Sequence, residues 1–326
     1  MARKIFKSRR EIVVTVLVLA GLAWLLDAWL TAPPPNWRDA CGAGSGRVVD
    51  EAVCAYRTDP AFRKTVDLAA AGTPAKTDAD RVATWMRAAD DDPYRDMDGG
   101  ATRDPAALMR DLAAFVPGIT EEEARRAAVV GRNNWVVWTA GNDRFWDVLA
   151  NRSFGNLDLL KVISNAPNLR FNRDNRWKYL GLVNEPCFRK PTGPRRDRFG
   201  LWLDERDPNC PADPFENQEK YPGVKIGARG KTVEVGSLYG WGTGIVGLRL
   251  FPNPDFDEAA AAKWDWFRYY NDPTYYTDRN LVRPYRVGMS CGFCHVGPSP
   301  TNPPADPNAP EWSNLSSNPE IGRAHV

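Results

Sequence analysis

Five consecutive residues near the end of the chain, Cys291-Gly292-Phe293-Cys294-His295, constrain it more than any other stretch. Two cysteines separated by two residues, with a histidine directly after the second, form the attachment signature of c-type haem. The spacing follows from the chemistry: two thiols make thioether bonds to the two vinyl groups on one edge of a porphyrin. The neighbouring imidazole then lies under the ring, where it ligates iron as the proximal ligand. Cys291, Cys294 and His295 are therefore the candidate cofactor-binding residues, and His295 is the candidate metal ligand.

Other chemistries use part of this pattern. Cys-x-x-Cys serves thioredoxin-like redox sites and half of many zinc sites, and two thiols can simply form a disulfide. A zinc site needs further Cys or His ligands nearby, and none follows in residues 296–319. A thioredoxin-type motif follows a hydrophobic strand and opens a helix. Here Arg283-Pro284-Tyr285-Arg286-Val287-Gly288-Met289-Ser290 leads in and Gly297-Pro298-Ser299-Pro300 leads out, which reads as neither. The adjacent histidine and these flanks favour covalent haem.

The 326 residues, 43% hydrophobic and 11% aromatic, suffice for a sizeable core and two domains. With 43 basic against 41 acidic residues the net charge is +2, and no basic stripe rises above that balance. Nucleic acid is therefore not an expected partner.

The N-terminus speaks to compartment. Arg3, Lys4, Lys7, Arg9 and Arg10 precede an apolar run over residues 12–26 that continues past Asp27 to Leu30. Counted to Leu30, this is about the length a bilayer-spanning helix needs, with the basic cluster on the cytoplasmic side. A cleaved signal peptide is the rival reading, but Leu30-Thr31-Ala32-Pro33-Pro34-Pro35 offers no clean small-x-small site. The expectation is an uncleaved inner-membrane anchor over 12–30, a cytoplasmic segment over 1–11, and a periplasmic, exported remainder.

At the other end, Ile321-Gly322-Arg323-Ala324-His325-Val326 matches one reading frame of a widely used sequencing adapter, and Glu320 fits its preceding codon. Residues 320–326 are set aside as an artefact, and the natural chain is expected to continue past Pro319. His325 is then no candidate ligand, which leaves His295 as the only histidine.

Beyond the motif, the cysteines are Cys41, Cys54, Cys187 and Cys210. In an oxidising compartment these read as disulfides. Cys41 with Cys54 and Cys187 with Cys210 would close short loops, and the other two connectivities stay open.

Residues 31–58 form a stalk rich in Pro and Gly at its start. Residues 59–222 read as mainly helical and loop-rich. Asp59-Pro60 and Asp104-Pro105 each set an N-cap acid before a proline suited to the first helical position. Residues 77–89 read as a helix, closed by the solvated acids Asp90, Asp91 and Asp92. Thr120 and Glu123 form a capping box that starts a helical region through to about Ala150. Within it Trp135, Trp138, Asn142, Phe145 and Leu149 recur at helical spacing, a stripe read as facing the core, with a haem pocket wall as the alternative. Residues 169–213 read as long ordered loops. Over 223–280, a glycine-rich stretch among β-branched residues reads as one or two hairpins, followed by an aromatic helix from Asp257 to about Tyr270. The glycine run around Gly240, Gly242 and Gly244 lacks the lysine and helix of a phosphate loop.

Cys291, Cys294 and His295 resemble the c-type cytochrome superfamily. The long region before them, the membrane-proximal start and the aromatic surroundings also make the chain similar to large exported di-haem cytochrome c peroxidases and the rubber-oxygenase group. The first resemblance implies haem c at one visible site, residues 281–319 as the start of a cytochrome c-like domain, and electron transfer with a redox partner protein or a small oxidisable substrate. The second implies a peroxidase- or oxygenase-like oxidoreductase with a second haem site in the missing C-terminal part. None of Met86, Met97, Met109 and Met289 is marked out as a distal haem ligand. The expected fold class is mainly α with long loops and a small β element, an N-terminal transmembrane anchor, and an incomplete cytochrome c-like haem domain.

Overall fold

The computed structural model describes residues 51–316 apart from 72–74, 95–96, 98–109, 111–112 and 115. All of these fall in one compact unit. The expected anchor over 12–30, Cys41, the Asp104-Pro105 cap and residues 320–326 lie outside the described residues.

The first half is helical for the reasons its caps suggest. Helices α1 (Glu51–Thr58) and α2 (Pro60–Ala69) meet at Asp59, whose carboxylate accepts from the Ala61 and Phe62 N–H groups, with Pro60 in the first turn. Thr77 and Asp80 form a reciprocal capping box at the start of α3 (Asp78–Arg87). Thr120 and Glu123 do the same for α4 (Glu121–Val136). These helices contribute Val66, Val82, Trp85 and Val136 to one apolar cluster, which Phe215, Tyr221 and Tyr239 complete.

The helical region that begins at Thr120 does not run unbroken to Ala150. It stops at Val136, and α5 (Asp143–Arg152) restarts after a turn in which Ala140 and Gly141 take left-handed φ of 54° and 70°. Trp135 and Phe145 therefore do not share a continuous helical face. Both are exposed, at 42% and 41%, so the reading of this stripe as core-facing fails for them.

After α5 the helices are short: α6 (Leu159–Val162), α7 (Arg176–Leu180), α8 (Glu258–Lys263), α9 (Trp266–Asn271) and α10 (Pro273–Tyr276). The expected single aromatic helix is split between α8 and α9 at Trp264, whose extended backbone ends the first, while Asp265 caps the second. The described strands form three small sheets. One pairs β1 (Phe188–Arg189) with β2 (Glu205–Arg206), next to the Cys187–Cys210 disulfide. The central sheet orders β3 (Trp241–Gly242), β4 (Leu248–Pro252) and β5 (Tyr285–Met289) antiparallel, with Trp241 opposite Leu250 and Leu250 opposite Val287. Leu248, Leu250, Tyr285 and Val287 join Leu160, Ile163 and Tyr269 in a second apolar cluster.

Buried arginines brace this half. Arg249 of β4 reaches Asp213 at 2.6 Å and donates to the Tyr239 and Gly240 carbonyls. Arg173 and Arg176 converge on Asp204 at 2.9 and 2.6 Å. Arg283 reaches Asp158 at 3.0 Å, and Tyr269 donates to the same carboxylate. Guanidinium donors thus satisfy carbonyls that no long helix or ladder occupies.

The fold class is accordingly mixed helices and small sheets, which corrects the mainly α expectation. The loop-rich sequence carries little helical period, and its polar backbone is tied by Arg, Asn and Asp side chains instead. No helix among the described residues is long and apolar enough to cross a membrane. A cytochrome c-like helical domain does not open at the motif either. Helix α11 (Cys291–His295) has only 5 residues, and the chain passes at once into the ladder of β6 (Gly297–Pro298) with β7 (Leu315–Ser316).

Candidate functional site

The motif sits where β5 leaves the central sheet. The strand is held up to its last residue by β4, with Leu248 opposite Met289. Asn142, in the turn between α4 and α5, then takes both backbone groups of Met289. The Met289 N–H donates to Asn142 Oδ1 at 2.9 Å, and Asn142 Nδ2 donates to the Met289 carbonyl at 2.7 Å. One residue on, the Ser290 N–H donates to the Gly247 carbonyl at 2.8 Å.

Two glycines let the turn seat itself. Gly247 has φ +89°, and a Cβ there would lie 2.3 Å from the Phe293 nitrogen. Only glycine combines that conformation with that approach. A Cβ on Gly292 would stand 3.0 Å from the Trp135 carbonyl oxygen, which places α11 against the end of α4.

All three residues singled out by sequence lie on α11. Cys291 and Cys294 are free thiols, the first exposed and the second half-buried. By contrast, Cys54, Cys187 and Cys210 are all in disulfides. The Cys187–Cys210 pairing is the one expected, whereas Cys41, the expected partner of Cys54, lies outside the described residues. Met289 Sδ lies 3.7 Å from Cys294 Sγ. His295 is exposed, and the Trp135 ring stands beside it with centroids 5.8 Å apart at 44°.

The motif sits in a strand-then-helix setting, contrary to the expectation for its flanks. Residues 285–289 are a strand, mostly buried, and the motif does form a helical turn. The flanks therefore do not distinguish haem attachment from a dithiol redox centre. What does bear on the choice is the imidazole next to the second thiol, and a helix that ends at once.

Among the described residues, no group of three or more His, Cys, Asp or Glu side chains is gathered as a metal centre. The donor set of α11 is instead two accessible thiols and one solvent-facing imidazole, with an exposed indole alongside. This set fits a haem attached through two sulfurs and ligated by one histidine, a site that needs one protein ligand to iron from this turn rather than a closed cage. Ser290 Oγ and Trp138 Nε1, near the motif in sequence or on the neighbouring turn, are buried with no partner among the described residues.

Sequence reading misses Gly247 as a support of the motif, but it names Trp135 and Asn142 on a stripe whose alternative role is the wall of a haem pocket, and both stand beside the motif. Gly141 beside Asn142, a pair that suits a turn, is the signal against an unbroken helix. No family model, curated protein or solved structure matches the chain.

Proposed function

We propose that α11 is a site of covalent haem c attachment and that the protein is an exported cytochrome acting in electron transfer. Cys291 and Cys294 would hold the porphyrin through thioethers, and His295 would ligate its iron. When bound, the haem supplies a reversible one-electron iron couple. The chain's own residues do the positioning. Asn142 fixes the strand end, Gly247 lets the turn pack down on it, and Trp135 shields one side of the imidazole.

The observation that carries this reading is the contrast in cysteine state. In a compartment that joins thiols, the three other described cysteines are bonded, while the pair beside His295 is free and accessible. The Cys187–Cys210 bridge is also what supports export. The partner class that suits such a centre is a redox protein or a small oxidisable molecule.

The test is maturation in a host that attaches haem, followed by denaturation and extraction with acidified organic solvent. Pigment should stay with the polypeptide, and should be lost in the Cys291→Ala, Cys294→Ala double variant. A colourless polypeptide carrying a Cys291–Cys294 disulfide would instead mark a dithiol redox centre.

A further inference from the structure

Away from the haem turn, the 192–198 loop, β2 and β3 border a half-open cavity of about 550 Å³. That volume lies in the range of small-molecule sites. Trp241, Leu250 and Phe188 give it apolar walls, and Arg206 lies among them. Its acidic side chains already have partners. Asp204 is held by Arg173 and Arg176, Asp197 by Arg195, and Glu205 by Arg189. Glu216 accepts from the Gly242 N–H at 2.9 Å.

Arg206 is different. Its guanidinium lies 4.5 Å from the Phe188 ring centroid, which fixes the plane of the fork. Its nearest carboxylates, Asp213 and Glu216, stand at 3.6 and 3.8 Å, beyond hydrogen-bonding distance, and Asp213 Oδ2 is already taken by Arg249 at 2.6 Å. Among the described residues its N–H groups meet no acceptor at hydrogen-bond range. Gly242 makes room for this stack, since a Cβ there would fall 2.8 Å from Phe188 Cζ and 3.2 Å from Arg206 Nη2.

We propose that this cavity binds a small organic carboxylate, paired by the fork of Arg206, with its apolar body against Trp241, Phe188 and Leu250. A guanidinium whose coplanar donors make no hydrogen bond matches a carboxylate bidentately, here in place of the looser ion pairs to Asp213 and Glu216. The surrounding acids disfavour a multiply charged anion such as phosphate, and a neutral ligand would leave the donors unmatched. This site does not depend on the haem reading, because the residues that line it lie outside α11.

Calorimetric titration of the purified chain with benzoate, hexanoate, benzamide and inorganic phosphate tests the proposal. Benzoate should bind saturably at one site, with benzamide and phosphate weaker by about tenfold or more. Arg206→Gln should weaken benzoate by a similar factor at an unchanged denaturation midpoint, and Arg206→Lys, which keeps charge without the fork, should fall between. Failure of both benzoate and hexanoate to bind would overturn the proposal, as would equal affinity for benzoate and benzamide. The second comparison needs only the wild-type chain, so it decides even where a variant does not fold.

Discussion

Asn142 and Met289, 147 positions apart in the chain, hold each other by a pair of hydrogen bonds at 2.7 and 2.9 Å. The amide of one side chain takes both backbone groups of the last residue of β5, and so sets where α11 begins. Asn142→Ala removes both bonds and leaves a half-buried donor and acceptor without partners. The expected loss is about 2–3 kcal/mol, read as a lower urea midpoint at unchanged slope. Asn142→Asp keeps the acceptor and loses the donor, so it should fall between.

Gly247 and Gly131 give opposite outcomes for the same substitution. At Gly247, φ is +89° and a Cβ would meet the Phe293 nitrogen at 2.3 Å, so Gly247→Ala should cost about 2–3 kcal/mol and lower the yield of haem attachment. At Gly131, inside α4, a Cβ meets nothing within 4 Å, so Gly131→Ala should stabilise by about 0.5–1 kcal/mol. Denaturation of the two variants side by side checks both.

Arg249 and Asp213 form a buried pair at 2.6 Å. Asp213→Ala strands a buried guanidinium and should cost about 3–5 kcal/mol. The double change Arg249→Met, Asp213→Leu removes the charge that must be matched. It also takes a donor from the Tyr239 and Gly240 carbonyls and the acceptor from the Phe215 N–H, so it should recover only part of the loss. A double-mutant cycle in guanidinium chloride, with Arg249→Met and Asp213→Leu as the single changes, measures the coupling.

Lys161 lies against the Tyr276 and Tyr269 rings, 3.2 and 5.2 Å from their centroids. Burial lowers its pKa from the ordinary 10.5 to about 8, with Asp158 opposing the shift. Between those values the folded chain binds fewer protons at Lys161 than the unfolded chain does. Its contribution to stability therefore rises as pH rises through that window and is least below about 8. The stability of the wild type should gain on that of Lys161→Met from pH 8 towards 10, and a difference independent of pH would contradict this.

The parts of the fold that were legible in sequence are those governed by local chemistry. Asp59, Thr77 and Thr120 cap helices because a side-chain oxygen before a helix start has a donor within reach whatever the tertiary context. The Cys187–Cys210 bridge was legible for the same reason, its loop being short. The break at Ala140 and Gly141 was not, because hydrophobic period continued across it while the backbone reversed. Arg249, Arg283 and Arg286 were unreadable as core residues, since what buries them is a carboxylate or carbonyl tens of residues away. Residues 285–289 alternate too weakly to mark a central strand, and only pairing with β4 makes them one. At the site, Cys291, Cys294 and His295 were visible in one line of sequence, Trp135 and Asn142 only as members of a stripe with two readings, and Gly247 not at all, since its role rests on the approach of Phe293 from 46 positions away.

Haem attachment at α11 is read out by mass spectrometry of the tryptic peptide that begins at Val287, taken from protein matured in a haem-attaching host. This peptide should carry the added mass of one haem, retained after denaturation and absent when Cys291 and Cys294 are both alanine. An unmodified peptide, or one lighter by two hydrogens through a Cys291–Cys294 disulfide, would contradict it.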